Sequence, residues 1–250
     1  MRVLLVGGTG SVGQKVLEEL LNRNVEVRAV VRSTASLSPE IKSNPKLELI
    51  TASLLKLSDE KLQGHVKDCD VVISTLGHRV NWKGIPLLGV WMPPYSLVTL
   101  ATTRLCTAIQ HLPLPHSTKF IQLSTVGIAN PSGTDTHVPT TKERLITSIV
   151  KPLTPPWKDS ASAAAYLANT IGTENRFIEW VAVRPDALVD DTCDEYEVYD
   201  SVRHAFYEAE VVGRKNIARF IAELCVNEGV WERWKGKMPV IIDKVQPAKK

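Results

Sequence analysis

The chain has 250 residues, of which 44% are hydrophobic and 23% charged, with a formal net charge of +3. This composition belongs to a folded globular protein with a sizeable core and excludes a disordered or fibrous chain. The charge is too weak, and Lys and Arg too dispersed, for nucleic acid to be an expected partner.

Cys69, Cys106, Cys193 and Cys225 form no CxxC pair, so neither a disulfide framework nor a zinc site is expected. The apolar start at Val3-Leu4-Leu5-Val6 stops at Gly7-Gly8, too short for a secretory leader. No apolar run approaches the ~20 residues of a membrane span. The expectation is a cytoplasmic protein with a small-molecule substrate and no membrane or nucleic-acid partner.

Residues 3–6 are a short apolar run rich in valine and leucine, the pattern of a strand buried on both faces. Over residues 11–23, Val12, Val16, Leu17, Leu20 and Leu21 recur at three- and four-residue spacing, which predicts an amphipathic helix. Further strands are predicted at 25–31, 47–50, 70–74, 120–124 and 180–184, and helices at 57–65, 97–112 and 160–173. Strand and helix alternate from the start, which predicts an α/β protein: a Rossmann-type doubly wound parallel sheet in a single domain. Residues 79–94, with Trp82 and Trp91, and residues 131–156, rich in Thr, Ser and Pro, break the alternation and read as long loops around a substrate. The acidic stretch 186–200 reads as a solvated loop.

The most specific motif is Gly7-Gly8-Thr9-Gly10-Ser11-Val12-Gly13, between the first strand and the first helix. Gly7 permits a tight turn, Gly10 a close approach of backbone to pyrophosphate, and Gly13 close packing of helix on sheet. The helix N-terminus adds amide donors for phosphate. Gly7, Thr9, Gly10, Ser11, Val12 and Gly13 are therefore candidate cofactor contacts. The second strand ends Val30-Val31-Arg32-Ser33-Thr34, with no carboxylate for a ribose 2′-hydroxyl. A guanidinium followed by hydroxyls suits a 2′-phosphate instead, so Arg32 and Ser33 predict NADP(H) as cofactor.

These motifs, with Ser74-Thr75-Leu76-Gly77-His78-Arg79, Leu123-Ser124-Thr125-Val126 and Val181-Ala182-Val183-Arg184-Pro185, give the chain its resemblance to a known group. It resembles the atypical short-chain dehydrogenase/reductases of the NmrA-like group, which includes the biliverdin-IXβ/flavin reductase type. The resemblance implies that Ser74, Thr75, Leu76 and Gly77 run beneath the adenosine and ribose. It also implies that Ser124 or Thr125 faces nicotinamide and substrate, and that Pro185 passes beside the carboxamide. Thr51-Ala52-Ser53-Leu54 stands where many relatives carry an Asp near the adenine.

The usual Tyr-x-x-x-Lys pair of short-chain dehydrogenases is absent, and Tyr166, four residues before Thr170, takes the corresponding place. Without a neighbouring cation the phenol keeps a pKa of about 10 and is a poor base. Tyr166 reads either as a proton donor or as a structural tyrosine in the Ala-rich helix. His78 reads either as a solvated loop histidine or as a contact to cofactor or substrate. Trp82, Trp91 and Trp157 read as walls of an apolar pocket or as loop anchors. The functional expectation is an NADP(H)-dependent oxidoreductase acting on a small planar or carbonyl-containing substrate. Its rivals are a non-catalytic NADP(H) sensor of NmrA type, which would need a protein partner, and a redox-neutral isomerase or lyase.

Overall fold

The computed structural model describes residues 1–78, 80–81, 90–91, 93–113, 116–190, 195–205 and 208–245. Strand β1 (Arg2–Val6) leads to helix α1 (Ser11–Asn22), β2 (Glu26–Val31), the single turn α2 (Pro39–Lys42) and β3 (Leu47–Thr51). Helix α3 (Asp59–Val66) follows, its first turn capped by Ser58 Oγ, which accepts from Lys61 N. Next come β4 (Val71–Ser74), the short antiparallel pair β5 (Val80–Asn81) and β6 (Val90–Trp91), α4 (Leu97–Gln110) and β7 (Thr118–Leu123). Two helices, α5 (Thr141–Leu153) and α6 (Pro155–Ala165), precede β8 (Ile178–Pro185), and α6 runs on as a π-helical turn to Ile171. The chain continues with β9 (Ala187–Val189), β10 (Tyr196–Tyr199), β11 (Val211–Gly213), α7 (Arg214–Val226), α8 (Glu228–Trp234) and β12 (Val240–Asp243).

Eight strands form one sheet in the order β10-β12-β8-β7-β4-β1-β2-β3. Every neighbouring pair is parallel except β10 with β12. In β1, Val3 and Leu5 enter one core layer and Leu4 and Val6 the other, so the strand is covered on both faces. On the first face Val16, Leu17 and Leu20 of α1 meet Ile217, Phe220 and Ile221 of α7. On the second, Leu62 of α3, Leu105 of α4 and Leu167 after α6 close over the sheet. Strand order reverses between β1 and β4, and ligands of such sheets bind at that switch point, outside the strands' carboxyl ends. Among the described residues no helix is long and apolar enough to cross a membrane.

The fold confirms the Rossmann-type doubly wound sheet and extends it. The antiparallel β10 sits at the outer edge of an otherwise parallel sheet, and it carves a strand out of the predicted acidic loop at 186–200. The predicted loop at 131–156 contains the 13-residue helix α5. Its Ser, Thr and Pro content hides a start signal, because Thr140 Oγ1 accepts from Glu143 N, half of a capping box. The predicted helix at 160–173 starts five residues earlier, at Pro155, where proline at the first helical position costs no hydrogen bond. Of the loop expected at 79–94, Arg79 and Trp82 lie outside the described residues.

Candidate nucleotide-binding and catalytic site

The glycine turn is shaped by contact with the neighbouring strand end. Gly7 has φ +85°, a left-handed conformation that glycine adopts without strain. A Cβ there would stand 2.7 Å from Thr75 Oγ1, and one on Gly13 would overlap the Gly7 carbonyl oxygen and stand 2.7 Å from the same hydroxyl. Thr75 is held in place by its own β1 contacts, since both its N and its Oγ1 donate to Val6 O, at 3.0 and 3.1 Å. Gly10 N donates to Gly7 O at 2.9 Å, and Gly10 is the residue before α1, so the first amides of that helix open at the turn. Thr9 is partly buried, Ser11 exposed and Val12 buried in the core. Gln14 Nε2 reaches both Thr9 O and Ser36 O at 3.3 Å, tying the glycine turn to the loop after β2.

That loop carries the exposed Arg32 and Ser33. Ser33 Oγ accepts from Ala35 N at 3.2 Å, while the Arg32 guanidinium has no partner among the described residues. No carboxylate occupies the end of β2.

Ser74 and Thr75 at the end of β4 are buried, and Leu76 and Gly77 emerge toward solvent. One strand away, Ser124 follows β7 and its N donates to Val183 O at 2.7 Å. Thr125 is exposed and its Oγ1 accepts weakly from Gly127 N at 3.4 Å. Pro185 ends β8 beside this segment, its carbonyl accepting from Val126 N. Ser74 Oγ, Ser124 Oγ and His78 Nδ1 are buried and lack a hydrogen-bond partner among the described residues. A buried polar atom without a partner costs about 1–3 kcal/mol. Such atoms gathered along one sheet edge mark a place where a ligand completes the bonding.

His78 is not a solvated loop histidine. Its side chain is 3% exposed, and Nε2 lies 2.7 Å from Asp159 Oδ2 on α6. Asp159 also accepts from Val98 N at 2.7 Å and Thr99 N at 2.9 Å, which closes the N-terminus of α4 where the residue before it, Ser96, makes no capping bond. Sequence reading missed Asp159. The available signal was an acidic residue in the inner stripe of an alanine-rich helix, but its partners are 60 and 81 positions away.

Tyr166 is placed elsewhere. Its phenol faces Thr107 near the C-terminal end of α4, and burial pushes its pKa above the ordinary range. Helix α4 runs from the carboxyl edge of the sheet back to the other edge, because it joins the parallel strands β4 and β7. Thr107 lies nine residues beyond Val98, about 13 Å deeper along the helix axis. The structure thus brings His78, Ser74 and Ser124 to the edge and leaves Tyr166 below it, so the structural reading of Tyr166 is the one the packing supports. Trp157, one turn before Ala161 on α6, lies with its indole against Gly127, flanking the Ser124–Thr125 segment. Trp82 is outside the described residues, and for Trp91 only the backbone is described.

The loop after β7 is pinned from below. The fully buried Arg184 of β8 donates from two nitrogens to the two carboxylate oxygens of Asp135, at 2.8 Å each, and from Nε to Met238 O. Burial raises the Asp135 pKa, but Arg184 and the amide of Asn130 outweigh it and hold the carboxyl below its usual range. The loop is therefore anchored at residues 130–135 rather than free.

The residues present fit a dinucleotide: a glycine cradle closed to any Cβ, a helix N-terminus facing it, an unpaired guanidinium beyond β2, and polar atoms awaiting partners along the sheet edge. Comparison with known proteins agrees. The family described as NAD(P)H-binding matches residues 7–228. The fold superposes on the oxidoreductase ylbE from Lactococcus lactis, with TM-score 0.65 and 18% identity over 97% of this chain and 91% of that one. A wide-type short-chain dehydrogenase/reductase from Veillonella parvula, in complex with NADP, gives 0.65 and 15% over 99% of both chains. ChuY, an anaerobillin reductase from Escherichia coli, gives 0.66 and 15% over 99% of this chain and 100% of that one. At these identities the likeness is one of fold. An uncharacterized chloroplastic protein of Arabidopsis thaliana is 30% identical over 78 residues, so the chain spans 28% of that relative's length. The chain belongs to the NAD(P)H-binding family, and its fold is that of NAD(P)-binding Rossmann proteins.

Proposed function

We propose that the protein is an NADP(H)-dependent oxidoreductase that reduces a small planar or carbonyl-containing substrate. The observation that carries this reading is the glycine cradle locked against Thr75 at the switch point of the sheet. There the amides after Gly10 would receive a pyrophosphate, and Ser74, Thr75, Leu76 and Gly77 would form the floor under the nucleosides. Arg32 and Ser33 would take a ribose 2′-phosphate, which favours NADP(H) over NAD(H). When bound, the reduced nicotinamide supplies two electrons and one proton to an acceptor. The protein's own part is to orient the acceptor and exclude water. Trp157 offers a flat apolar wall, and Ser124 offers a hydroxyl for a substrate oxygen.

The test is oxidation of NADPH, followed by its absorbance, with FMN, a quinone, biliverdin and several aldehydes as acceptors, and with NADH in parallel. Turnover that is faster with NADPH supports the reading. A non-catalytic NADP(H) sensor is the second reading, favoured by the missing Tyr–Lys pair and by the depth of Tyr166. Tight NADPH binding without turnover of any acceptor would select it, and failure to bind either nucleotide would overturn both.

A further inference from the structure

Resting on the reductase reading, we propose that His78 is the proton-transfer residue of the site, positioned by Asp159, in place of the tyrosine that short-chain dehydrogenases use. Three observations converge on it. The first is location: His78 follows β4 by four residues at the carboxyl edge, three residues beyond the Thr75 that packs on the glycine cradle, and β4 lies beside the β7 strand that Ser124 follows. The second is the partner. Both oxygens of Asp159 accept backbone N–H bonds, and Nε2 of His78 lies 2.7 Å from one of them, so the tautomer that fits this contact carries its hydrogen on Nε2. The third is what remains. Nδ1 is buried and has no partner among the described residues. A histidine serving only to brace Asp159 does not need a second ring nitrogen buried and unmatched. A histidine that exchanges protons with a bound substrate needs that nitrogen facing a ligand and held in register.

The substrate class follows from the chemistry of that nitrogen. It is an acceptor with a polarised C=O or C=N bond, whose heteroatom must gain a proton as its carbon is reduced. A bound dihydronicotinamide would supply the electron pair and proton for the new C–H bond at that carbon and be left as the oxidised nicotinamide. The π bond of the acceptor breaks toward the heteroatom, which takes the proton from Nδ1 of the imidazolium. His78 is left neutral, with Nε2–H still on Asp159, and regains its Nδ1 proton from water. In the reverse direction neutral Nδ1 accepts the hydroxyl proton.

The experiment uses the full chain and begins with NADPH binding followed by nucleotide fluorescence. His78→Gln, whose amide can still donate to Asp159, is expected to bind NADPH within about 2-fold of wild type and to lose about 100-fold in kcat with a carbonyl acceptor. His78→Gly leaves a hole of imidazole size against Asp159, and added imidazole is expected to restore kcat saturably without changing the affinity for NADPH. Nitrogen NMR of the unliganded wild type, at a pH where the ring is neutral, is expected to show the remaining His78 hydrogen on Nε2. In Asp159→Asn that preference is expected to weaken, and kcat to fall with KM little changed. Retained turnover in His78→Gln, absence of imidazole rescue, or a loss of NADPH affinity as large as the loss of kcat overturns the assignment. The last outcome would make His78 a cofactor ligand. A wild-type protein that binds NADPH but reduces no acceptor overturns the reductase reading itself, and this role with it.

Discussion

Gly13→Ala isolates the packing logic of the nucleotide cradle in a single methyl group. The added Cβ would overlap Gly7 O, stand 2.7 Å from Thr75 Oγ1 and 2.8 Å from the Gly7 carbonyl carbon. Carbon contacts relax at about 3.5–4.0 Å, so the start of α1 must withdraw by ~1 Å. The obstructing atoms are mostly backbone, and Thr75 is tied by two bonds to Val6, so no side chain can swing aside. Overpacking of this kind costs about 3 kcal/mol, from which the better helix propensity of alanine recovers about 1. The net loss of ~2 kcal/mol corresponds to a Tm lower by about 4–8 °C in a chain of this size. The displaced amides should also weaken NADPH binding by at least about 10-fold. Gly64→Ala is the control, because Gly64 lies exposed in α3 with open space around its Cβ position. It should gain about 0.5–1 kcal/mol and leave nucleotide binding unchanged. Thermal unfolding and a fluorescence titration of NADPH read both effects. A Gly13→Ala protein with wild-type Tm and affinity would refute the cradle.

Arg32→Ala should weaken NADPH binding by about 10–100-fold, the worth of a charge-assisted phosphate contact, and change NADH binding less than about 2-fold; equal losses would remove Arg32 from the 2′-phosphate. Asp135→Asn should cost about 3–5 kcal/mol in urea unfolding at neutral pH, since it leaves the fully buried Arg184 without its counter-charge. The folded-state pKa of Asp135 lies below its unfolded value. Its contribution is therefore complete above about pH 4 and disappears as pH falls through the folded value, so the gap between wild type and Asp135→Asn should narrow in acid. A gap that stays constant into acid would contradict the pairing. Tyr166→Phe should change stability by less than about 1 kcal/mol and keep kcat within about 2-fold, whereas a large fall in kcat would return Tyr166 to the site.

What could be read along the chain was read from contiguous residues. The buried run Val3–Val6, the spacing of Gly7, Gly10 and Gly13, the stripe of α1 and the Arg32 at a strand end are local patterns. Period and glycine spacing specify them before any distant part of the chain is in place. The alternation of such segments was enough for the Rossmann-type sheet. The helix α5 was not legible: Thr140 and Glu143 mark its start, but the surrounding prolines and hydroxyls read as loop. The edge strand β10 and its neighbour β12 carry short apolar patterns, and β12 pairs with β8 far off in sequence.

The reactive groups obey a different rule. Asp159 meets His78 across 81 positions, and Arg184 meets Asp135 across 49. No periodicity encodes such pairs, because they depend on how far along the sheet α6 enters and on which turn of α4 it faces. One helical turn moves a side chain about 5.4 Å, which separates a group at the sheet edge from one buried beneath it. That register put Asp159 at the edge and Tyr166 against Thr107, and packing of the assembled helices, rather than local propensity, set it.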